Sequence, residues 1–247
     1  MRDPANVARQ QQVREHGFVT ALITLPLRFI GVLLGSLLLS LLIELVGIHL
    51  VWPEQGWRHA QSMMNFELQQ LSTQFTRSVV VQEPGRSGYR LVGWLHQNLL
   101  LESGLLDWLT QVNRQAKNAD TTAGFNAVLA EAVVYLERYL LAAFYTVATF
   151  VLRLLVLALT LPLFALAALV GLVDGLVRRD LRRFSAGRES GFIYHRARAT
   201  IVPLVVLPWV IYLALPVTVH PLLILLPMAA ILGVAVSVTV GSFKKHL

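Results

Sequence analysis

The segment with the most side chains capable of chemistry is residues 178–198, which read RRDLRRFSAGRESGFIYHRAR. It holds seven arginines and two acids, a net charge of +5 in a chain whose formal net charge is +7. Arginine binds phosphates and carboxylates through two parallel hydrogen bonds, so the segment could contact lipid headgroups or an acidic protein surface. The residues that we select for contact with a partner or with lipid are Arg178, Arg179, Arg182, Arg183, Arg188, Glu189, Tyr194, His195, Arg196 and Arg198.

The same segment contains residue types found in catalytic and metal sites, but not at the required spacing. His195 follows Asp180 and Glu189, yet no HxxxH or ExxH pair is present, so the segment does not predict a metal site. Ser185 and Ser190 have no base at triad spacing, and the Walker pattern of nucleotide-binding loops is absent. We therefore predict no catalytic residue, no metal and no bound cofactor, and a protein that is not an enzyme.

Two further charged residues interrupt long apolar stretches, Glu44 and Arg153. A charge within a membrane is costly, so it is expected to be functional or to have a partner. In one interpretation Glu44 lies near the outer interface, where it snorkels or pairs with Arg153. In the alternative, both side chains line a path through a small transporter or channel subunit.

The composition places the whole chain in a membrane. Of its 247 residues, 55% are hydrophobic and 14% are charged, against about 25% charged in soluble domains. The chain has no cysteine, which excludes disulfides and thiolate chemistry. The first apolar run is too long for a signal peptide and no A-x-A-like site follows it, so it reads as an uncleaved anchor.

The pattern of apolar runs predicts an all-α, polytopic membrane protein with four transmembrane helices and a helical periplasmic insert. Tyr139–Val173 could hold one span or two, and one long span is favoured because two would place the basic segment outside. The predicted division is 1–28, a cytoplasmic tail and interfacial helix; 29–52, the first span; 53–138, the periplasmic insert; 139–177, a long second span that Pro162 can kink; 178–198, an Arg-rich cytoplasmic loop; 199–243, a hairpin of the third and fourth spans; and 244–247, the cytoplasmic C-terminus.

Charge decides the orientation. Residues 53–138 carry seven Lys/Arg and eight Asp/Glu and are close to neutral, whereas residues 178–198 and the C-terminal Lys244 and Lys245 are basic. Because loops rich in Lys and Arg stay in the cytoplasm, both termini and the basic segment are expected inside, in the bacterial inner membrane. Within the insert, Met64, Leu68, Leu71 and Phe75 have helical spacing. Residues 83–88 (EPGRSG) predict a turn.

The basic segment divides into two halves with different expected partners. Residues 178–183 are sufficient for orientation and for contact with anionic lipid headgroups, at about 1 kcal/mol per charge. Residues 185–198 mix aromatic, glycine and serine residues with the charges, which favours a shaped surface for a protein partner. Direct binding of nucleic acid is disfavoured because the positive-inside rule already explains the basic excess. Whether the chain forms a homo-oligomer stays open.

Two blocks of the sequence resemble a known family. They are residues 51–71 (VWPEQGWRHAQSMMNFELQQL) and 185–198 (SAGRESGFIYHRAR), the second followed by a proline-punctuated hairpin. These blocks resemble four-span inner-membrane proteins, of unknown biochemical function, encoded by integrative conjugative elements and conjugative plasmids. The resemblance implies an accessory component of the conjugative type IV secretion system that binds the coupling protein or another secretion-system subunit. No catalytic residues are established for that family, so none is assigned here.

Overall fold

The computed structural model describes residues 4–74, 83–102, 104, 107–108, 110–111, 114, 124–184 and 191–243. For residues 4–23, 25–26, 74, 124–131, 183, 191 and 193 the description covers the backbone only. The main helices are α1 (Pro4–Leu50), α2 (Trp57–Gln74), α3 (Pro84–His96, continued by a π-helical turn over Gln97–Leu101), α4 (Gly124–Phe184), α5 (Gly191–Ala214) and α6 (Pro221–Gly241).

Four of these helices are long and apolar enough to cross a membrane. Their candidate spans are Leu27–Leu50, Ala132–Arg182, Tyr194–Ala214 and Pro221–Gly241. All four expose large aliphatic side chains, as expected of helices that face lipid. The described part of the chain contains no strand. These findings confirm the predicted fold class, an all-α membrane protein with four apolar helices and a helical insert between the first two.

Helices α1 and α4 are much longer than a bilayer is thick. They contain 47 and 61 residues, which corresponds to about 70 and about 90 Å at ~1.5 Å per residue, against a hydrocarbon core of about 30 Å. Both must therefore extend beyond the membrane. Helix α1 is continuous where the sequence predicted a tail, an interfacial helix and a span. Helix α4 passes through Pro162 without ending, as proline in membrane helices often allows.

The basic segment 178–198 is helical at both ends, which differs from the predicted loop. Residues 178–184 form the last turns of α4, and residues 191–198 form the first turns of α5. Arginine is a good helix former, and cations are favourable at a helix C-terminus. The arginines at residues 178–183 therefore lie within α4 and not in a loop after it.

The insert packs on α4 through the apolar face of α2. Met64, Leu68 and Leu71 are buried as their spacing predicted, and they share one core with Leu152 of α4; Phe75, the next residue of that stripe, lies outside the described residues. This core continues into the hairpin of α5 and α6, whose buried residues include Tyr212, Leu213, Leu225 and Leu232. The insert is thus fixed on the membrane helices.

Helix α3 begins at Pro84, within the segment that predicted a turn. Proline is favoured in the first turn of a helix, where its missing N–H costs nothing. The two glycines of this segment serve packing. A Cβ on Gly85 would lie 2.9 Å from the Ser72 Cα, and one on Gly88 would lie 3.2 Å from the Leu71 Cδ1. The turn prediction was wrong because these glycines allow α3 to approach α2.

Small residues bring α4 and α6 together, and this is the most extensive contact between helices among the described residues. A Cβ on Gly171 would overlap the carbonyl oxygen of Gly233. One on Gly175 would lie 2.7 Å from the carbonyl oxygen of Ser237, and one on Gly233 would lie 2.9 Å from that of Ala167. Membrane helices commonly associate through such small residues, since these let the backbones approach closely.

We predict that Gly171→Ala destabilises the protein, because the added methyl group must push α6 away from α4. Overpacking of this kind typically costs about 1–3 kcal/mol. The measurement is the midpoint of thermal unfolding of the full chain in detergent. Gly31→Ala is the matched control, since a Cβ at Gly31 of α1 meets no atom within 4 Å. An equal midpoint for the two variants would contradict the packing described for α4 and α6.

Candidate functional site

Arg153 lies in the middle of α4 and is one of the most deeply buried side chains described. Its side chain is 2% exposed, and that of its partner Glu67, on α2, is 0% exposed. The Nε–H of Arg153 donates to Oε1 of Glu67 at 2.8 Å. A charge this deeply buried requires a partner of opposite charge. The ion pair therefore ties the insert to α4.

The other end of the guanidinium binds the C-terminal end of α5. Nη1 donates to the carbonyl oxygens of Tyr212 and Leu215, and Nη2 donates to that of Val217 at 3.0 Å. The last carbonyls of a helix have no partner within the helix, and together they carry a partial negative charge that favours a cation. Arg153 thus supplies the C-terminal cap of α5 and holds the start of the hairpin turn.

Tyr212 closes the cluster. Its hydroxyl donates to Oε2 of Glu67 at 2.9 Å, so both carboxylate oxygens of Glu67 are bonded. The Arg153 guanidinium carbon also lies 5.3 Å from the centre of the Tyr212 ring, within reach of a cation–π contact. We call Glu67, Arg153 and Tyr212 the buried cluster. It joins one side chain from each of α2, α4 and α5.

Glu44 does not pair with Arg153, which corrects that interpretation of the sequence. Its carboxylate oxygens lie 3.1 and 3.2 Å from Nδ1 of His59. The turn after α1 brings the start of α2 back over the last turns of α1, so residue 59 reaches residue 44. Trp52 folds over the pair, with its ring stacked on His59 at 3.9 Å. A Cβ on Gly47 would overlap that ring.

The cavity beside Glu44 is too small to be a path for a solute. Its volume is about 10 Å³, which is room for about one water molecule. Ser40 and Thr146 are among its lining residues, whereas Arg153 is not. Glu44 and Arg153 therefore bind separate partners and do not share a cavity.

Sequence reasoning missed Glu67 and Tyr212. A signal for Glu67 was present, because it lies three residues after Met64 and four before Leu71, on the apolar face of α2. A lone acid on an apolar face indicates a buried charge with a partner elsewhere. Tyr212 carried no comparable signal, since its partner is 145 residues away in sequence.

The two ends of the basic segment meet at Phe243, just after α6. The Arg179 guanidinium lies 5.9 Å from the centre of the Phe243 ring, and the ring of Tyr194 packs edge-on against it at 5.7 Å. His195, Arg196 and Arg198 are exposed on the first turns of α5. Arg178 and Arg182 lie on the last turns of α4. Arg183 also lies there, but only its backbone is described. Arg188 and Glu189 lie outside the described residues.

Asp174 connects the basic end of α4 to α6. Its Oδ2 atom accepts a hydrogen bond from the hydroxyl of Ser237 and lies 2.9 Å from Nε of Arg178. One acid thus binds a residue of α6 and a cation of its own helix. Among the described residues, no group of three or more His, Cys, Asp or Glu could hold a metal ion.

We predict that Glu67→Gln strongly destabilises the protein, because it leaves the Arg153 charge buried without a counter-charge. Removing one partner of a buried ion pair typically costs about 3–5 kcal/mol. Tyr212→Phe removes one hydrogen bond to a charged group and should cost less, about 1.5–3 kcal/mol. Thermal unfolding of the full chain in detergent measures both effects.

The pair Glu83 and Arg86 provides a matched control. These side chains also form an ion pair, at 3.3 Å, but are 63% and 67% exposed. Because exposed pairs contribute about 0–1 kcal/mol, Glu83→Gln should leave the unfolding midpoint almost unchanged. A loss for Glu67→Gln no larger than that for Glu83→Gln would contradict the structural role assigned to the buried cluster.

Comparison with known proteins shows that the chain matches a protein family. No match was found among curated proteins or among solved structures. The family described as IncC plasmid conjugative DNA transfer protein DtrJ-like matches residues 51–244. The match includes both blocks of the resemblance, the insert, and helices α4 to α6, and it confirms the expected relation to conjugative transfer proteins. Since it extends over most of the chain, the chain belongs to the DtrJ-like family of conjugative DNA transfer proteins.

Proposed function

We propose that this protein is a non-enzymatic accessory component of conjugative DNA transfer, held in the bacterial inner membrane. Its role is to bind the coupling protein or another subunit of the type IV secretion system. The observation that carries the proposal is the family match over residues 51–244, since membership indicates involvement in conjugative transfer. The four apolar helices support a position in the membrane.

We call the described ends of the basic segment, residues 178–184 of α4 and 191–198 of α5, the basic face. This face is the proposed contact surface for the partner. Arg196 and Arg198 are exposed there, and the Phe243 contacts hold the two helix ends beside each other. Complementary charge steers association and selects partners, so this face suits an acidic protein surface. Anionic lipid headgroups would compete with a protein partner for the same charges.

The proposed orientation places this basic face and both termini in the cytoplasm and the insert in the periplasm. Support comes from charge alone, because Lys and Arg near the ends of spans remain inside. The chain contains no cysteine, so a single introduced thiol reports its own side of the membrane. Asn65 on α2 and His195 on α5 are exposed positions for such thiols.

We predict that Asn65→Cys reacts with a membrane-impermeant maleimide in spheroplasts, whereas His195→Cys reacts only after permeabilisation. Labelling is read as a mass shift of the purified chain. Permeabilised spheroplasts are the control, because both thiols should then react. The opposite labelling pattern would show that the orientation is reversed.

We predict that replacing Arg196 and Arg198 together by Glu lowers transfer frequency and co-purification with the coupling protein at least about tenfold, the factor that a loss of 1.4 kcal/mol produces. The reason is that the two introduced carboxylates would repel the acidic partner surface that the arginines attract. Mating assays measure the transfer frequency, and affinity purification from mild detergent measures the complex.

Two controls separate partner binding from charge effects in general. In the first, both arginines are replaced by Lys, which keeps the charge that lipid contact and orientation require. In the second, the charge is reversed at Arg86 and Arg90, two exposed residues of the insert, to test whether charge reversal elsewhere has the same effect. Labelling of Asn65→Cys in the reversed background verifies that the topology is unchanged. Normal transfer and normal co-purification of the Arg196→Glu, Arg198→Glu variant, at unchanged topology, would overturn the proposal.

A further inference from the structure

A groove of about 530 Å³ runs along the junction of α4 and α6 on the outside of the helix bundle. Exposed aliphatic side chains form its two walls, Leu166 and Val170 from α4 and Leu226 and Val234 from α6. Its floor is the crossing of α4 and α6, where Gly171 meets Gly233. The groove is thus deep because its floor residues lack side chains.

The apolar part of the groove is about as long as one leaflet of a bilayer is thick. On α4 this part begins at Leu163 and ends at Asp174, where the polar end begins, and the lining then continues to Arg178. These eleven steps of helix (174 minus 163) correspond to about 16 Å, close to half of the ~30 Å hydrocarbon core. An acyl chain of a phospholipid extends through one leaflet, so its length fits this part of the groove.

The end of the groove toward the basic face is polar. Asp174, Arg178 and Ser237 line it. The hydroxyl of Ser237 donates a hydrogen bond to the Asp174 carboxylate, and the Arg178 guanidinium balances the charge of that carboxylate through Nε. The Arg178 side chain is 63% exposed, and a guanidinium has four N–H donors besides that of Nε. Such a fork binds a phosphate group through two hydrogen bonds.

We propose that this groove is a binding site for one anionic glycerophospholipid. One acyl chain lies between Val170 and Val234, and the phosphate binds Arg178. The basic residues that follow on α4, Arg179 and Arg182, favour a headgroup with net negative charge. The site does not depend on the proposed role in conjugation, since it rests on the shape and charge of α4 and α6 alone.

The test is native mass spectrometry of the full chain released from nanodiscs of phosphatidylglycerol and phosphatidylcholine in equal amounts. The chain is expected to retain one phosphatidylglycerol. Ala230→Trp, at an exposed groove position, should reduce the retained fraction at least about fivefold by filling the groove. Arg178→Gln should reduce it similarly by removing the phosphate donor, and neither change alters a buried residue.

Matched controls are Ala165→Trp, at an exposed position of α4 outside the groove, and Arg90→Gln, at an exposed arginine of α3. Both should retain the lipid as the unmodified chain does. Equal retention by Ala230→Trp and Ala165→Trp would overturn the site, and equal retention of phosphatidylcholine would overturn its selectivity for anionic lipid. A bound second copy that Ala230→Trp removes, with lipid retention unchanged, would show that the groove binds a helix instead.

Discussion

The neutralisation of one buried guanidinium constrains much of this fold. Arg153 could not remain charged within an apolar core without a counter-charge and acceptors for its N–H groups. Glu67 supplies the charge, and the carbonyls at the end of α5 supply the acceptors. Lysine could not replace it, because a single ammonium group lacks the planar fork that reaches several acceptors at once. The positions of α2, α4 and α5 are therefore fixed relative to one another.

The two ends of the membrane domain use charge in different ways. At the end that carries the insert, Glu44 and Arg153 are buried and have specific partners on α2. At the other end, Arg196 and Arg198 remain exposed. Helix α4 connects the two ends and also contacts α6 where Gly171 meets Gly233, which we call the glycine crossing. Helix α4 thus connects an end where the charges are buried and paired to an end where arginines are exposed.

The fold was more predictable than the contacts within it. Long apolar runs predicted the four spans, and the spacing of Met64, Leu68 and Leu71 predicted the buried face of α2, because both are local patterns. The partners of Glu44 and Arg153 were not local. His59 reaches Glu44 through a tight turn, and Glu67 reaches Arg153 across 86 residues. The prediction of a turn at residues 83–88 was wrong because glycine occurs where backbones approach closely as well as in turns.

The glycine crossing and the buried cluster attach the hairpin of α5 and α6 to α4 at two places. Within lipid there is no hydrophobic drive to bring helices together, so α6 depends on close packing against α4. Gly171 and Gly233 provide that packing near the basic end, and Arg153 holds the end of α5 beside the hairpin turn at the opposite end. With both ends of the hairpin attached to α4, the insert, the hairpin and the basic face form one connected body.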